Sequence, residues 1–545
     1  MIIGGGAAGL TAAIFAARAA SEAAASVSVT ILERTSEPGK KILMSGGTRA
    51  NVLPLACTPE ADFSTQSRPS ALRAALAAWP LDGAKAFLEQ EVGLGPLVLE
   101  EASAKYFPAS DSARDVRDGL VRAALREGAT LRCGAGVGRV EAPAPGGGGR
   151  WRLWLEPPPA AASAADGPST QTILEADAVV LACGGSSFPK VGTDGAGYRM
   201  LRRLGVAVRA PYPALTPLSG AHPGGEQLAG VTLPAARLSA YIADAGPAEG
   251  ERGAAPAAEG GAAAATATKR KKKKATGAAA VSRRGGFLFS HRGFTGPAVL
   301  DVSEHWVRAA EASAAAAAAA AAPAVATAPP AAAPAAMMRV AWTGEGEDAW
   351  AERLRGWTAA GGPRSAGGTH VATLLQRSGV PARLAAALCA EAGAPASGAA
   401  PAAALPKTAA RALARLLGAY ELPVTGHRGF ALAEVTGGGV PLEALDARTM
   451  EVVRADGDGR RAAGATGGAL AAAAAVSGAG GGGGGDGPSV LASAARSGLH
   501  VCGELVDVHG RIGGFNFLWA WASGRSAGLG AIASALRAEA GGDGG

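Results

Sequence analysis

Met1-Ile2-Ile3-Gly4-Gly5-Gly6-Ala7-Ala8-Gly9-Leu10 opens the chain, and its reading decides the fold. Apolar residues run into Gly4, Gly6 and Gly9 at GxGxxG spacing, and an Ala-rich helical stretch follows to about Ala20. Val27 to Leu32 reads as a second strand ending at Glu33, so the order is strand, tight turn, helix, strand: a βαβ unit. The first glycine permits the turn, the second lets a pyrophosphate approach the backbone, and the third lets helix and strand close up. Amide groups at Ala7 and Ala8, with the helix dipole behind them, favour an anion. Glu33 stands where a carboxylate accepts ribose hydroxyls and disfavours a 2′-phosphate. The first strand is short against the usual five or six residues, which predicts further chain upstream of Met1.

Working outward, Arg34 leads into a loop with Gly39, Lys40, Lys41, Ser45, Gly46, Gly47, Arg49 and Asn51. A glycine-rich loop after the ribose carboxylate covers the adenylate and pyrophosphate of a flavin dinucleotide, and its cations can neutralise phosphate. NAD dehydrogenases need no such loop. Asp177 to Cys183 is a continuous apolar run ending at Gly184-Gly185, as in a buried parallel strand. Gly503-Glu504 follows a late strand that returns to this domain and places a carboxylate near the ribityl or pyrophosphate region. Gly513, Gly514 and Phe515 precede a final helix, expected from about Phe517 to Arg537. Its N-terminal amides can face the negative edge of reduced flavin.

Longer blocks resemble the BaiN/YhiN-like FAD-dependent flavoproteins, the aminoacetone oxidase family of FAD-binding enzymes. They run Gly39 to Val52, Phe107 to Val116, Ala182 to Tyr198, Phe289 to Leu300, Ala433 to Val440, and Gly498 to Gly524. Thr48 and Ala50 replace a glycine and a cysteine of the family loop, and Leu518 a glutamine. The resemblance implies an α/β protein: a Rossmann-type FAD-binding domain with an inserted β-rich plus helical substrate-side region. It implies non-covalent FAD, adds Asp507 and Asn516 to the cofactor residues, and makes His291 a candidate proton donor. His500 and His509 match no family histidine and are expected at the surface. Trp519 and Trp521 are expected to pack the last helix.

The expected domains are 1–210 and 431–545 for the FAD part, 211–310 for the β-rich insertion, and 311–430 for a low-complexity tract and helical subdomain. Ala/Gly/Pro tracts at about 245–280, 313–336 and 455–488 lack periodicity and read as disordered insertions. Gly286 to Phe289 reads as a strand; Val371 to Cys389 and Thr408 to Leu417 read as helices. The net charge of +7 is exceeded by eight cations in one segment, Lys269, Arg270, Lys271 to Lys274, Arg283 and Arg284. The remainder is close to neutral, so nucleic acid is not an expected partner.

Five scattered cysteines without a CxxC argue against disulfides and a metal site and suit a reducing compartment. No apolar run reaches membrane-spanning length and no targeting segment precedes Gly4, so a soluble cytoplasmic or organellar protein is expected. The expected activity is hydride transfer between FAD and a small-molecule substrate or NAD(P)H, with no second GxGxxG for a separate nicotinamide domain. Two alternatives stay open: a flavin-bearing RNA-binding or RNA-modifying protein, and a fumarate-reductase-like dehydrogenase.

Overall fold

The structure, a computed structural model, describes residues 1–144, 149–157, 172–242, 281–321, 336–358, 369–394, 401–453 and 498–542. The Lys269 to Lys274 run and most of the three Ala/Gly/Pro tracts lie outside the described residues. The chain forms two compact units, Met1–Ala214 with Phe430–Gly545, and Leu215–Gly429.

The first unit is built on the opening motif. Strand β1 (Ile2–Ile3), helix α1 (Ala7–Glu22) and strand β2 (Thr30–Glu33) form the expected unit. Helix α2 (Ala113–Arg126) leads to β3 (Thr130–Cys133), followed by β4 (Val179–Leu181) and helix α3 (Ala196–Arg203). After the inserted unit, β5 (Leu499–Val501) and the long helix α4 (Phe515–Gly542) complete it. All neighbours pair in parallel in the order β5-β4-β1-β2-β3. Ile2 lies opposite Val180 on one side and Ile31 on the other, so β1 is central despite its length. A parallel sheet needs cover on both faces, which explains why the inner strands β1 and β4 are apolar without alternation, while the edge strand β3 is largely exposed. Trp519 and Trp521 are buried as expected, and their indole N–H groups donate to Gly503 O (3.0 Å) and Val52 O (3.2 Å).

The second unit is a seven-stranded antiparallel sheet with helices. Its spatial order is Tyr420–Glu421, Ala336–Ala341, Thr232–Ile242, Val281–Ser290, Gly293–Thr295, Leu218–Gly220, Val424–His427. Three of these strands come from the 311–430 stretch read as a low-complexity tract and helices: Tyr420–Glu421 and Val424–His427 are short edge strands with almost no periodic signal, and Ala336–Ala341 starts at the end of the Ala-rich tract. The core is aromatic, with Phe287, Phe289, Phe294, Trp342 and Trp350 all buried. The helix expected from Val371 to Cys389 is two, Val371–Arg377 and Ala382–Glu391. Gly379 leaves the first at φ +89°, Val380 N bonds back to Leu375 O, and Pro381 cannot continue a helix.

His500 and His509 correct the expectation of surface histidines: both are buried. Helix α4 brings Ser534 Oγ to 3.1 Å from His500 Nε2, while its Nδ1 lies 2.7 Å from Thr449 O. Burial lowers the pKa of His500.

Ala240 pairs with Val281 across the hairpin that brackets 243–280. The strand ends are therefore already adjacent, and a two- to five-residue turn can join them. Deleting 245–280 should leave FAD content and flavin reduction rate within about twofold, measured by absorbance and stopped flow. A loss of about tenfold would assign the segment to a site.

Candidate functional site

The opening turn has the sterics its glycines require. A Cβ on Gly4 would stand 2.5 Å from Ala182 O, and one on Gly9 only 1.9 Å from Gly4 O. Around Gly6, by contrast, nothing lies within 4 Å of that position. No side chain caps α1 and no acidic residue sits in its first turn. Leu10 N is bonded within the helix, to Gly6 O at 2.9 Å. The amides before it, on Ala7, Ala8 and Gly9, have no carbonyl four residues back in the helix and point to an anion outside it.

Glu33 Oε2 accepts from Gly5 N (2.9 Å), and Oε1 accepts from Thr35 N (2.8 Å). Thr35 Oγ1 has one hydrogen and two acceptors in range, Glu33 Oε1 at 2.9 Å and Glu37 O at 2.7 Å. With that hydrogen on Glu37, each Glu33 oxygen keeps a lone pair, enough for two ribose hydroxyls. A small cavity of about 50 Å³ opens here between Ile3, Gly4, Leu32, Glu33, Arg34, Val137, Cys183, Gly192, Asp194, Ala196 and Met200. Its apolar wall suits an adenine and its carboxylate a ribose. Arg34 pairs with Asp194 (2.9 Å) and Glu156 (2.8 Å), so it is engaged rather than offered to a 2′-phosphate. Burial pushes the Cys183 thiol up to about 12, which makes it a neutral wall and no nucleophile.

A second cluster ties distant segments together. Lys41 Nζ lies 2.5 Å from both Ser187 Oγ and Glu504 Oε2. Glu504 Oε1 accepts from Ser187 Oγ (2.7 Å) and Thr436 N (2.8 Å), and Thr436 Oγ1 accepts from Ser186 N and Ser187 N. Gly185 is obligatory, since a Cβ there would meet Thr436 Oγ1 at 2.3 Å. Burial alone would raise Glu504, but the Lys41 charge and the hydrogen bonds outweigh it and hold the carboxyl below its ordinary value. Asp507 goes the other way. Burial raises it in spite of Arg209 Nη1 (2.5 Å) and Gln66 N (3.0 Å).

The remaining expected residues have other partners. Arg49 reaches Asp111 (2.7 Å) and Glu100 (3.1 Å) and lies over the Phe107 ring, which commits it to the Phe107–Asp111 block rather than to phosphate. Gly46 and Gly47 are left-handed, and so are Thr48 (φ +75°) and Ala50 (φ +57°). Ser45 closes this loop through its O to Ala50 N, and a Cβ on Gly46 would meet Asn51 N at 3.1 Å. Gly184 has φ +71° beside Thr193, and Gly503 approaches Ala8.

Gly514 is required by the backbone of Leu53, 2.6 Å from its would-be Cβ, while at Gly513 a Cβ would meet side chains only, Lys105 at 3.2 Å and Phe515 at 3.5 Å. Phe515 packs on Phe63, and Asn516 bonds both backbone groups of Gly510. His291 is exposed in the turn between two strands of the second unit, whereas the dinucleotide residues belong to the first. Val137, Asp194, Met200, Ser187 and Thr436 escaped the sequence reading. Asp194 and Ser187 stood inside a quoted family block, but Val137 carried no local signal.

The HI0933-like protein Rossmann domain matches residues 1–479. The chain belongs to the HI0933-like family. It is an FAD-dependent oxidoreductase with a Rossmann fold. Relatives in this family include the 3-dehydro-bile acid delta(4,6)-reductase of Clostridium scindens, 33% identical over 217 residues, 40% of this chain and 46% of that protein. The chain thus matches about half the length of that relative. The ribosomal RNA dihydrouridine synthase of Escherichia coli is 24% identical over 526 residues, 96% of this chain and 95% of its own. Its namesake from Haemophilus influenzae is 23% identical with 96% of each chain covered. Among solved structures, an open flavocytochrome c3 fumarate reductase is 14% identical, covering 98% of this chain and 78% of its own, with a TM-score of 0.41. Among the described residues no group of three or more His, Cys, Asp or Glu could hold a metal ion, and no helix is long and apolar enough to cross a membrane.

Two predictions follow from this geometry. A carboxylate held below its ordinary pKa gives stability at neutral pH that is lost as pH falls through that lowered pKa. Glu504→Gln should therefore cost about 3 kcal/mol at pH 7 and clearly less at low pH, read from urea unfolding of the flavin unit. Equal losses at both pH values would contradict the ion pair. Thr48 is β-branched and left-handed, so Thr48→Gly should raise the unfolding midpoint by the equivalent of about 0.5–1 kcal/mol. A lowered midpoint would mean the hydroxyl or methyl holds the loop.

Proposed function

We propose that this chain transfers hydride between non-covalently bound FAD and a carbon–carbon double bond conjugated with a carbonyl group, with NAD(P)H as electron donor. The observation that carries the proposal is the pairing of an open helix N-terminus at Gly6 with a Glu33 carboxylate that keeps lone pairs for two hydroxyls. Amides of Gly6, Ala7 and Ala8 hold the pyrophosphate, Glu33 the ribose, and Val137, Ile3 and Met200 flank the adenine. Bound FAD supplies the two-electron chemistry. Lys41, Glu504, Gly184 and Gly185 shape the loops beside the pyrophosphate. The α4 N-terminus at Gly513 to Phe515 would supply amides and dipole to stabilise the negative charge of a reduced flavin.

The bond type is argued from the names of relatives. A delta(4,6)-reductase of a 3-dehydro-bile acid and a dihydrouridine synthase both act on unsaturation next to a carbonyl. The two relatives that match over nearly the full length both concern ribosomal RNA, which favours a second reading, a uridine within RNA as substrate.

The purified protein should be yellow, and acid precipitation should release FAD rather than FMN. Under anaerobic conditions NADH or NADPH should bleach it, and a conjugated enone or uridine-containing RNA should restore the colour. Flavin left on the peptide, FMN alone, or no response to any of these donors and acceptors would refute the proposal.

A further inference from the structure

The antiparallel sheet of the second unit has one apolar face and one basic face. On the central strand Thr232–Ile242, Leu238 and Ala240 are buried in the core with Met338, Val340, Val299 and Val302. The alternate residues Arg237, Ser239 and Tyr241 face the opposite side, because successive side chains of a strand point to opposite faces. Register sets Arg237 directly opposite Arg284, and Ser239 between Ser282 and Arg339. Ser239 Oγ donates to Ser282 Oγ at 2.9 Å, and the Arg339 guanidinium lies 5.0 Å from the Tyr241 ring centroid.

Arg237 and Arg284 are both exposed, and neither forms an ion pair among the described residues. Like charges directly opposite on paired strands repel and destabilise the sheet. Glu421 stands opposite Arg339 on the edge strand and offsets that cation, leaving the Arg237/Arg284 pair without an ion-pair partner among the described residues. An anion seated across these two strands would remove the repulsion.

We infer that this face, with Arg237, Arg284, Arg339, Tyr241 and the Ser239/Ser282 hydroxyls, is a docking surface for single-stranded RNA. The inference rests on the reading of an RNA uridine as substrate. Two arginines on adjacent strands match neighbouring phosphates, the tyrosine offers a face to an unpaired base, and the serines offer hydroxyls to phosphate or 2′-OH. Charge complementarity and the aromatic together favour a nucleic acid over an acidic protein. The surface consists of the described strands alone.

The test uses full-length, FAD-loaded protein and a fluorescein-labelled, uridine-containing single-stranded RNA, with anisotropy read over a salt series. The double variant Arg237→Ala/Arg284→Ala should bind about tenfold more weakly, with a salt slope smaller by about 1.4. Tyr241→Leu should weaken binding about fivefold while retaining its bulk. Arg355→Ala/Arg377→Ala removes the same charge from exposed helical positions of the same unit and should bind as the parent does. FAD content and melting temperature identify any variant that fails to fold.

Unchanged affinity in the first double variant, or equal weakening in the control pair, overturns the inference. So does arginine-dependent binding to phosphatidylserine vesicles that RNA does not displace. Binding is read without turnover, so the two failures separate. Absence of dihydrouridine in treated RNA sinks the substrate reading, and absence of arginine-dependent RNA affinity sinks the surface.

Discussion

Helix α1 is held between two backbones, and the rest of the flavin unit depends on that double contact. On one side Gly9 lies against the carbonyl of Gly4, with no room for a methyl group. On the other, Gly524 and Gly528 of α4 lie so close to Ala8 and Ala12 that a Cβ would stand 2.5 Å and 2.3 Å from their carbonyl oxygens. Small residues at one-turn intervals let two helices approach more closely than the usual 8–10 Å packing, which needs side chains between them. The N-terminus of α1 is therefore fixed in direction, and a fixed N-terminus is what an anion site made of amides requires.

The Lys41–Glu504 pair serves a different purpose. It links the loop after β2, the glycine loop after β4 and the turn after β5, three segments remote in sequence. Breaking one partner of a buried pair costs more than the pair itself contributes, so such a link acts chiefly to define one arrangement. Tyr198 adds a further tie from α3 through its hydroxyl to Glu504 O (2.8 Å).

Much of the cofactor domain was legible because its constraints are local. Gly4 and Gly9 each answer a short-range steric demand, Gly6 leaves open space at the helix N-terminus, and Glu33 follows from the end of a strand. What depends on tertiary meeting was not legible. His500 reads as a surface histidine until α4 supplies Ser534 and burial, and Arg49 reads as a phosphate partner until Asp111 and Glu100 arrive. Val137 belongs to a hairpin strand whose sequence resembles any other. Gly514 reads as a glycine facing the flavin, whereas the neighbour that excludes a side chain there is the backbone of Leu53. The strands Tyr420–Glu421 and Val424–His427 are too short to announce themselves in a periodic pattern.

The pairing of β4 with β5 sets an order on biosynthesis. Val179–Leu181 leaves the ribosome long before Leu499–Val501, its neighbour in the sheet, and α1 long before the α4 glycines that cover it. Through that interval the nascent flavin unit has an open strand edge and a bare helix face, both of which invite association with other chains. The inserted unit, Leu215–Gly429, is meanwhile fully translated and carries its own core. Folding can therefore be completed in the middle first, with the nucleotide-binding unit waiting on its last segment.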